Sequence, residues 1–346
     1  MLMNRQAWLV GLVVVALAGF FVAKAYTQTE HATALRWLLP HSQEEIFDRS
    51  TETFAKIIAD ESDGTLSLGG TLYPSDLDIP PTDHFTMKVL ELHKAEIVSD
   101  YIEHIGSSHS TIFNGLAMPF LFDDYESALK FLDGPKANMV LDTLAEHTPY
   151  KALAFTMSGG FRIFVSHTKP IYTPADIQGM RIWSYFFGGP QISTLISLGA
   201  TPVFYPLGEP KPDPEQLKTV EAVETTYSRI GLLLTHAPAF PKYVTETNHG
   251  ISLTVIVVEK KFFDSLSSRQ QKALQKAAHE AAVLEKQDSV AYEEQVRNSL
   301  RKAGVKIITL TPAQRGLFKE ATQPVYSAYT TPFEQLLKAV TESRQQ

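Results

Sequence analysis

The chain is expected to fold as an α/β protein in two lobes, and three observations carry that expectation. Its 346 residues exceed what one hydrophobic core usually serves, since domains cluster near ~150 residues. From residue 35 onward, short apolar runs alternate with longer amphipathic stretches, the pattern of strands joined by helices with substantial parallel sheet. One helical stretch near the C-terminus is longer than a small lobe is wide, so it is expected to span both lobes.

Residues 35–39 read as the first strand. The segment 44–61 places Ile46, Phe54, Ile57 and Ile58 at helical spacing, and Asp63-Gly64 closes it. A strand begins over 66–68. Segment 73–83 holds Pro74, Pro80 and Pro81, so it is a loop over the sheet, because proline removes a ladder donor. A helix over 85–93 and a strand over 97–102 follow. After the proline-rich corner at 118–122, Asp123-Asp124 caps a helix over 125–132. Strands are expected at 152–157, 162–166 and 180–183. Between the last two, Thr173-Pro174-Ala175-Asp176 starts a short helix that Gly179 ends.

A helix over 191–198 turns at Gly199-Ala200-Thr201-Pro202 into a strand at 203–205. Pro210, Pro212 and Pro214 make 208–214 an exposed loop. Residues 255–258 form a strand of the buried type. From Ser267, which forms a capping box with Gln270, a helix runs to about Leu300. Its roughly 33 residues at 1.5 Å each extend about 50 Å. A strand over 304–308 and mostly helix over 312–340 complete the chain.

Composition narrows the function. With 44% hydrophobic and 20% charged residues, the chain is neither disordered nor a many-span membrane protein. Lys+Arg of 31 against Asp+Glu of 38 gives a net charge of -7, which supplies no attraction to nucleic acid. The absence of cysteine excludes disulfides, thiolate metal sites and a cysteine nucleophile. Among the eleven histidines, His104 and His109 lie five apart in a loop-like stretch and no H-E-x-x-H occurs, so no metal is expected. Neither G-x-S-x-G nor a phosphate-binding glycine loop is present. No cofactor is expected.

Residues 1–25 have the form of a secretory signal: Arg5 as early charge, an unbroken apolar run over 7–22, and Ala23-Lys24-Ala25 for the peptidase. The run is somewhat short for a bilayer span, and an uncleaved anchor is the alternative. Either way the remainder is expected outside the cytoplasm, in the periplasm.

Several blocks, in order, resemble one family. Met118-Pro119-Phe120-Leu121-Phe122-Asp123-Asp124-Tyr125-Glu126-Ser127-Ala128 is similar to P-F-L-F-x-D-x-x-x-A. Gly160-Phe161-Arg162 leading to Pro170-Ile171 is similar to G-x-R-x-x-x-x-x-x-x-P-I, and Thr173 to Gly179 to t-P-x-D-l-x-G. Leu198-Gly199-Ala200-Thr201-Pro202, Val220-Glu221-Ala222-Val223-Glu224, Asn248-His249-Gly250 and the stretch from Phe263 to Leu274 continue the series. Together they resemble the DctP-type substrate-binding proteins of tripartite ATP-independent periplasmic (TRAP) transporters.

The resemblance implies a two-lobe periplasmic binding protein fold with hinge-crossing segments, no enzymatic activity, a small organic solute in the cleft, and membrane permease subunits as partners. The lobes are expected at 33–151 with 246–280, and at 152–245 with 281–346. Independently of the family, a cleft between two lobes favours a concave ligand site, and a ligand touching both lobes drives closure.

The resemblance also marks candidate ligand contacts. Where the family carries its carboxylate-binding arginine, this chain has Trp183, with Arg181 two residues earlier; strand alternation points both the same way, which makes Arg181 a candidate partial substitute at an offset of about 6.6 Å. Arg162, at the family's earlier arginine and beside Gly159-Gly160, is the expected cationic anchor. Tyr185 and Phe186 follow Trp183 in an aromatic run suited to stacking on a ligand. Glu224 keeps the family's glutamate, Thr225 replaces its asparagine, and Thr225 and Tyr227 offer hydroxyls.

His41, Tyr73 and Ser107 are placed at the crevice by the rule that α/β sheets bind beyond their strand ends. The expected ligand has an aromatic or apolar body and one anionic group on Arg162. A membrane-anchored sensory or partner-binding module, and an envelope enzyme using Glu221 with Glu224, are the other classes.

Overall fold

The computed structural model describes residues 32–41, 45–80, 85–108, 112–184, 189–204, 214–327 and 331–343. The expected signal at 1–25, the aromatic pair Tyr185 and Phe186, His109, and most of the proline-rich loop (208–213) lie outside the described residues.

The first lobe begins with strand β1 (Thr33–Leu38), helix α1 (Glu45–Glu61) and strand β2 (Leu66–Leu72), followed by a 3-10 turn at Pro74–Asp76 within the expected loop. Helix α2 (Phe85–Glu91) leads to β3 (Ile97–Tyr101), which runs directly into α3 (Ile102–Ser108). The stretch around His104 is thus helical and not a loop. Helices α4 (Ile112–Leu116), α5 (Tyr125–Leu132) and α6 (Pro135–His147) follow. Asp124 caps α5 by accepting the Ser127 N–H at 2.8 Å, satisfying a donor the helix leaves unpaired.

Strand β4 (Tyr150–Ser166) is one seventeen-residue strand where two were expected. The glycine pair is the reason: Gly159 and Gly160 take φ of +103° and +81°, so the chain bulges and resumes pairing instead of turning away. The second lobe adds β5 (Arg181–Trp183), α7 (Gly189–Ser197), β6 (Thr201–Val203), α8 (Pro214–Leu217), β7 (Ala222–Thr226), α9 (Tyr227–His236) and β8 (Tyr243–Glu246). The chain returns to the first lobe as β9 (Ile251–Glu259) and passes through α10 (Lys260–Ser265) into α11 (Ser268–Lys302). It closes with β10 (Lys306–Thr309), α12 (Pro312–Ala321), α13 (Gln323–Ser327) and α14 (Thr331–Ser343).

Strand order is β2-β1-β3-β9-β4-β7-β5-β6, with β8 joining β4 and β10 joining β8. Pairing is parallel within each lobe, for β1 with β2 and β3, and for β5 with β6 and β7. It is antiparallel where the crossing strands β4 and β9 enter. The lower half of β4 pairs with β9 and the upper half with β7 and β8, so one strand belongs to both lobes.

The 35-residue α11 confirms the expected lobe-spanning helix and its capping box between Ser267 and Gln270. Ala273, Ala277, Ala278, Ala281 and Ala282 face Phe54 and Ile58 of the first lobe. Val296 and Leu300, further along, pack into the second. Where α11 crosses β4, Glu285 accepts the Met157 N–H at 2.6 Å, while Lys286 and Ser289 donate to the carbonyls of Phe155 and Met157, each at 2.8 Å. These bonds satisfy backbone groups on the edge of β4 opposite β9, where β7 pairs only from Arg162 onward.

One lobe boundary differs from expectation. Leu336 and Val340 of α14 lie in the core of Leu116, Phe131 and Leu141, so the C-terminal helix packs on the first lobe, because its apolar face has its complement there.

Candidate functional site

Beyond the glycine pair, β4 carries Arg162, and β7 carries Glu224. Their strands pair Arg162 with Thr226 and Phe164 with Glu224, which makes the two side chains diagonal neighbours on one face. Arg162 Nε donates to Glu224 Oε1, and Nη2 donates to Oε2 at 2.6 Å. Ser184 Oγ donates to the same Oε2 at 3.1 Å, and His249 Nε2 stands 3.3 Å from Oε1.

Arg162 and Glu224 are 2% and 0% exposed. Burial pushes the Glu224 carboxyl up, but the Arg162 charge, with hydrogen bonds from Arg162 and His249, outweighs it and holds the group at about 2. Burial also works against the Arg162 charge, and Glu224 more than restores it. Burial lowers the His249 imidazole despite the pull of Glu224.

A second group forms where the first-lobe strands end. His41 Nε2 is 2.6 Å from Ser158 Oγ, which is 3.1 Å from the Tyr101 hydroxyl. That hydroxyl accepts from Nη2 of Arg229, in the first turn of α9. The guanidinium lies 5.9 Å from the Tyr101 ring centre. His41 and Tyr101 come from the first lobe, Ser158 from the crossing strand and Arg229 from the second lobe. The Nδ1 of His41 is buried with no hydrogen-bond partner. Burial, and then the Arg229 charge, push the His41 imidazole well below its ordinary value, so it is neutral near pH 7.

A third group bridges the lobes at α3 and α7. Gln191 of α7 donates its amide to Glu103 of α3. Glu103 Oε2, Gln191 Oε1 and Asn114 Oδ1 are buried without partners. Burial raises the Glu103 carboxyl, against the nearby positive charge of Arg162. Among the described residues no cluster of three His, Asp or Glu side chains is placed to hold a metal.

The structure therefore brings together Arg162 with Glu224, and separately His41 with residues not anticipated. Arg162 and Glu224, each expected against a ligand, bond each other. Trp183 belongs to the second-lobe core with Leu217, Val223 and Val244, because β5 is an inner strand there. Tyr227 lies in that same core and donates to Glu246 at 2.8 Å.

Thr225 follows Glu224 on a strand, so it points to the opposite face, and its hydroxyl is buried without a partner. Arg181 is exposed, its Nε donating to the Thr219 carbonyl at 2.7 Å. Tyr73 is half-buried against the first-lobe core around Trp37 and Phe54. Ser107 is on α3. Glu221 accepts the Arg181 N–H at 2.7 Å, which directs it away from Glu224. Arg229, Tyr101, Ser158, Asn114 and Gln191 were missed. The one available signal was that Arg229 falls just after the family-like Val220 to Glu224 block, in the first turn of the helix that follows β7.

The fold has close counterparts. A sugar acid binding protein from Advenella mimigardefordensis, in complex with galactonate, superposes with a TM-score of 0.77 at 22% identity, covering 90% of this chain and 99% of that one. A TRAP periplasmic solute binding protein from Shewanella oneidensis with bound succinate gives 0.76 at 18% identity, covering 90% and 99%.

In sequence, the 2,3-diketo-L-gulonate-binding periplasmic protein YiaO of Escherichia coli is 30% identical over 203 residues, 58% of this chain and 59% of that protein. The chain spans 58% and 59% of the length of two curated relatives it matches. The model of the bacterial extracellular solute-binding proteins, family 7, matches residues 41–331, a stretch that takes in both lobes and every described group above. The chain belongs to the family 7 (DctP) bacterial extracellular solute-binding proteins.

Proposed function

We propose that this protein captures a small anionic organic acid between its lobes, outside the cytoplasm, and hands it unchanged to the membrane permease subunits of a TRAP transporter. One observation carries the reading. His41 Nδ1, Glu103 Oε2 and Asn114 Oδ1 from the first lobe, and Gln191 Oε1 from the second, are buried without partners. Buried polar atoms are normally satisfied, and a polar solute between the lobes satisfies atoms on both sides at once. Such a solute favours the closed state, because it touches both lobes only there.

The relatives support an acid: the Escherichia coli protein is named for 2,3-diketo-L-gulonate, and the two similarly folded proteins hold galactonate and succinate. With Trp183 in the core and the junction lined by polar atoms, the reading favours a hydroxylated acid over an aromatic or apolar one. Glu224 is spent on Arg162, which argues for binding without chemistry.

A thermal-shift screen over sugar acids, hydroxy acids and short dicarboxylates tests this, since a ligand that binds only the folded state raises its stability. The expected result is an acid that raises the midpoint, shrinks the scattering radius and is recovered intact. Recovery of a chemically altered compound, or no response to any acid, overturns the reading.

A further inference from the structure

Resting on the organic-acid reading, we propose that Arg229, and not Arg162, holds the solute's carboxylate, with Tyr101, Ser158 and His41 completing the anion subsite. The first argument is what Arg162 already does. Two of its donors are bonded to Glu224, which also takes Ser184 and stands beside His249. A second carboxylate brought to Arg162 shares a guanidinium whose charge Glu224 already balances, and the two like charges repel in a buried setting. Trp183 and Arg181 offer no replacement, one being in the second-lobe core and the other exposed at the strand's outer end.

The second argument is the setting of Arg229. Its guanidinium donates to the Tyr101 hydroxyl, which is joined through Ser158 to His41. A guanidinium, two hydroxyls and an imidazole nitrogen therefore meet where β1, β3 and the bulge of β4 end. Guanidinium offers a carboxylate two parallel N–H donors, and the hydroxyls donate by rotating. His41 is 8% exposed; its Nε2 meets Ser158, while Nδ1, on the other edge of the ring, is buried with no partner, so the imidazole keeps one polar atom for a solute beside the cluster to satisfy. The subsite also spans the junction, with Arg229 on the second lobe and Tyr101 and His41 on the first. A carboxylate held by all of them binds the closed form in preference to the open one.

The test uses the full chain and three acids, D-glucuronate, D-galactonate and succinate, each beside an uncharged counterpart: D-glucose, galactitol and 1,4-butanediol. Calorimetric titration compares the wild type with Arg229→Ala and Arg229→Lys, after melting curves establish that each variant is folded. For whichever acid binds the wild type most tightly, Arg229→Ala is expected to weaken binding by about 30- to 1000-fold, the cost of removing one side of a buried charge pair. Arg229→Lys restores part of this, having the charge without the fork. Affinity for the matching uncharged counterpart changes by less than about threefold.

Equal losses for the acid and its counterpart would show Arg229 to be a latch between lobes, and overturn the inference. So would an acid that binds Arg229→Ala as it binds the wild type, which leaves the organic-acid reading standing. If none of the three acids binds the wild type, that reading falls, and the inference falls with it.

Discussion

Arg162 and Glu224 hold each other through two hydrogen bonds inside the second lobe, one from β4 and the other from β7, both out of reach of solvent. Both carboxylate oxygens of Glu224 are engaged by this one guanidinium, which ties β4 to β7 within the site.

Removing one member of such a pair leaves the other charged and buried. Glu224→Ala is therefore expected to destabilise the protein by about 3–5 kcal/mol, and the double variant Arg162→Met with Glu224→Leu to recover much of that loss. Denaturant unfolding of the three proteins measures both steps. A Glu224→Ala variant as stable as the wild type would contradict the pairing.

Acid acts on the same pair. The Glu224 carboxyl is held at about 2 in the folded protein against an ordinary 4.5. The unfolded chain thus takes up this proton first, and stability falls as pH drops from 4.5 towards 2. Glu285 has the opposite sign. Burial raises it to about 8, despite the Met157 N–H and Lys286, so the folded protein keeps a proton that the unfolded chain releases, and stability falls as pH rises from 4.5 to about 8. Melting Glu285→Gln at pH 5 and pH 9 is expected to show a larger gain relative to wild type at pH 9. An equal effect at both would remove the raised carboxyl from the account.

At the bulge, Gly160 has φ of +81°, and a Cβ there would overlap the Tyr125 hydroxyl and stand 3.0 Å from Glu293. Gly160→Ala adds backbone strain to that crowding and is expected to cost about 2 kcal/mol or more. Thermal unfolding reads the cost directly.

The start of the crossing helix offers a milder test. Ser267 and Gln270 cap each other's backbone N–H groups at 3.3 and 3.0 Å, and Ser267→Ala is expected to cost about 1 kcal/mol. Chemical denaturation resolves a difference of that size.

Regular elements were legible where a local signal is strong. The helix from Ser268 to Lys302 announces itself by its cap and its length, and α5 by Asp124. The continuity of β4 was not legible, since two adjacent glycines read as a break when the neighbouring strands that carry pairing past them are unknown. Half of the site followed a similar course. Arg162 and Glu224 stand out by residue type, but 62 positions separate them and only the register of β4 on β7 shows that they satisfy one another. Arg229 lacks a distinguishing pattern within its helix, and its proximity to Tyr101 across 128 positions is a product of how the lobes meet.

The seventeen residues of β4 lie in both lobes at once, and this has a consequence for attempts to dissect the molecule. Neither lobe is expected to stand as an autonomous fragment, because whichever piece surrenders that strand is left with an unpaired sheet edge, β9 on one side and β7 on the other. The jaws of this protein share a spine, and they are expected to melt in calorimetry as one body.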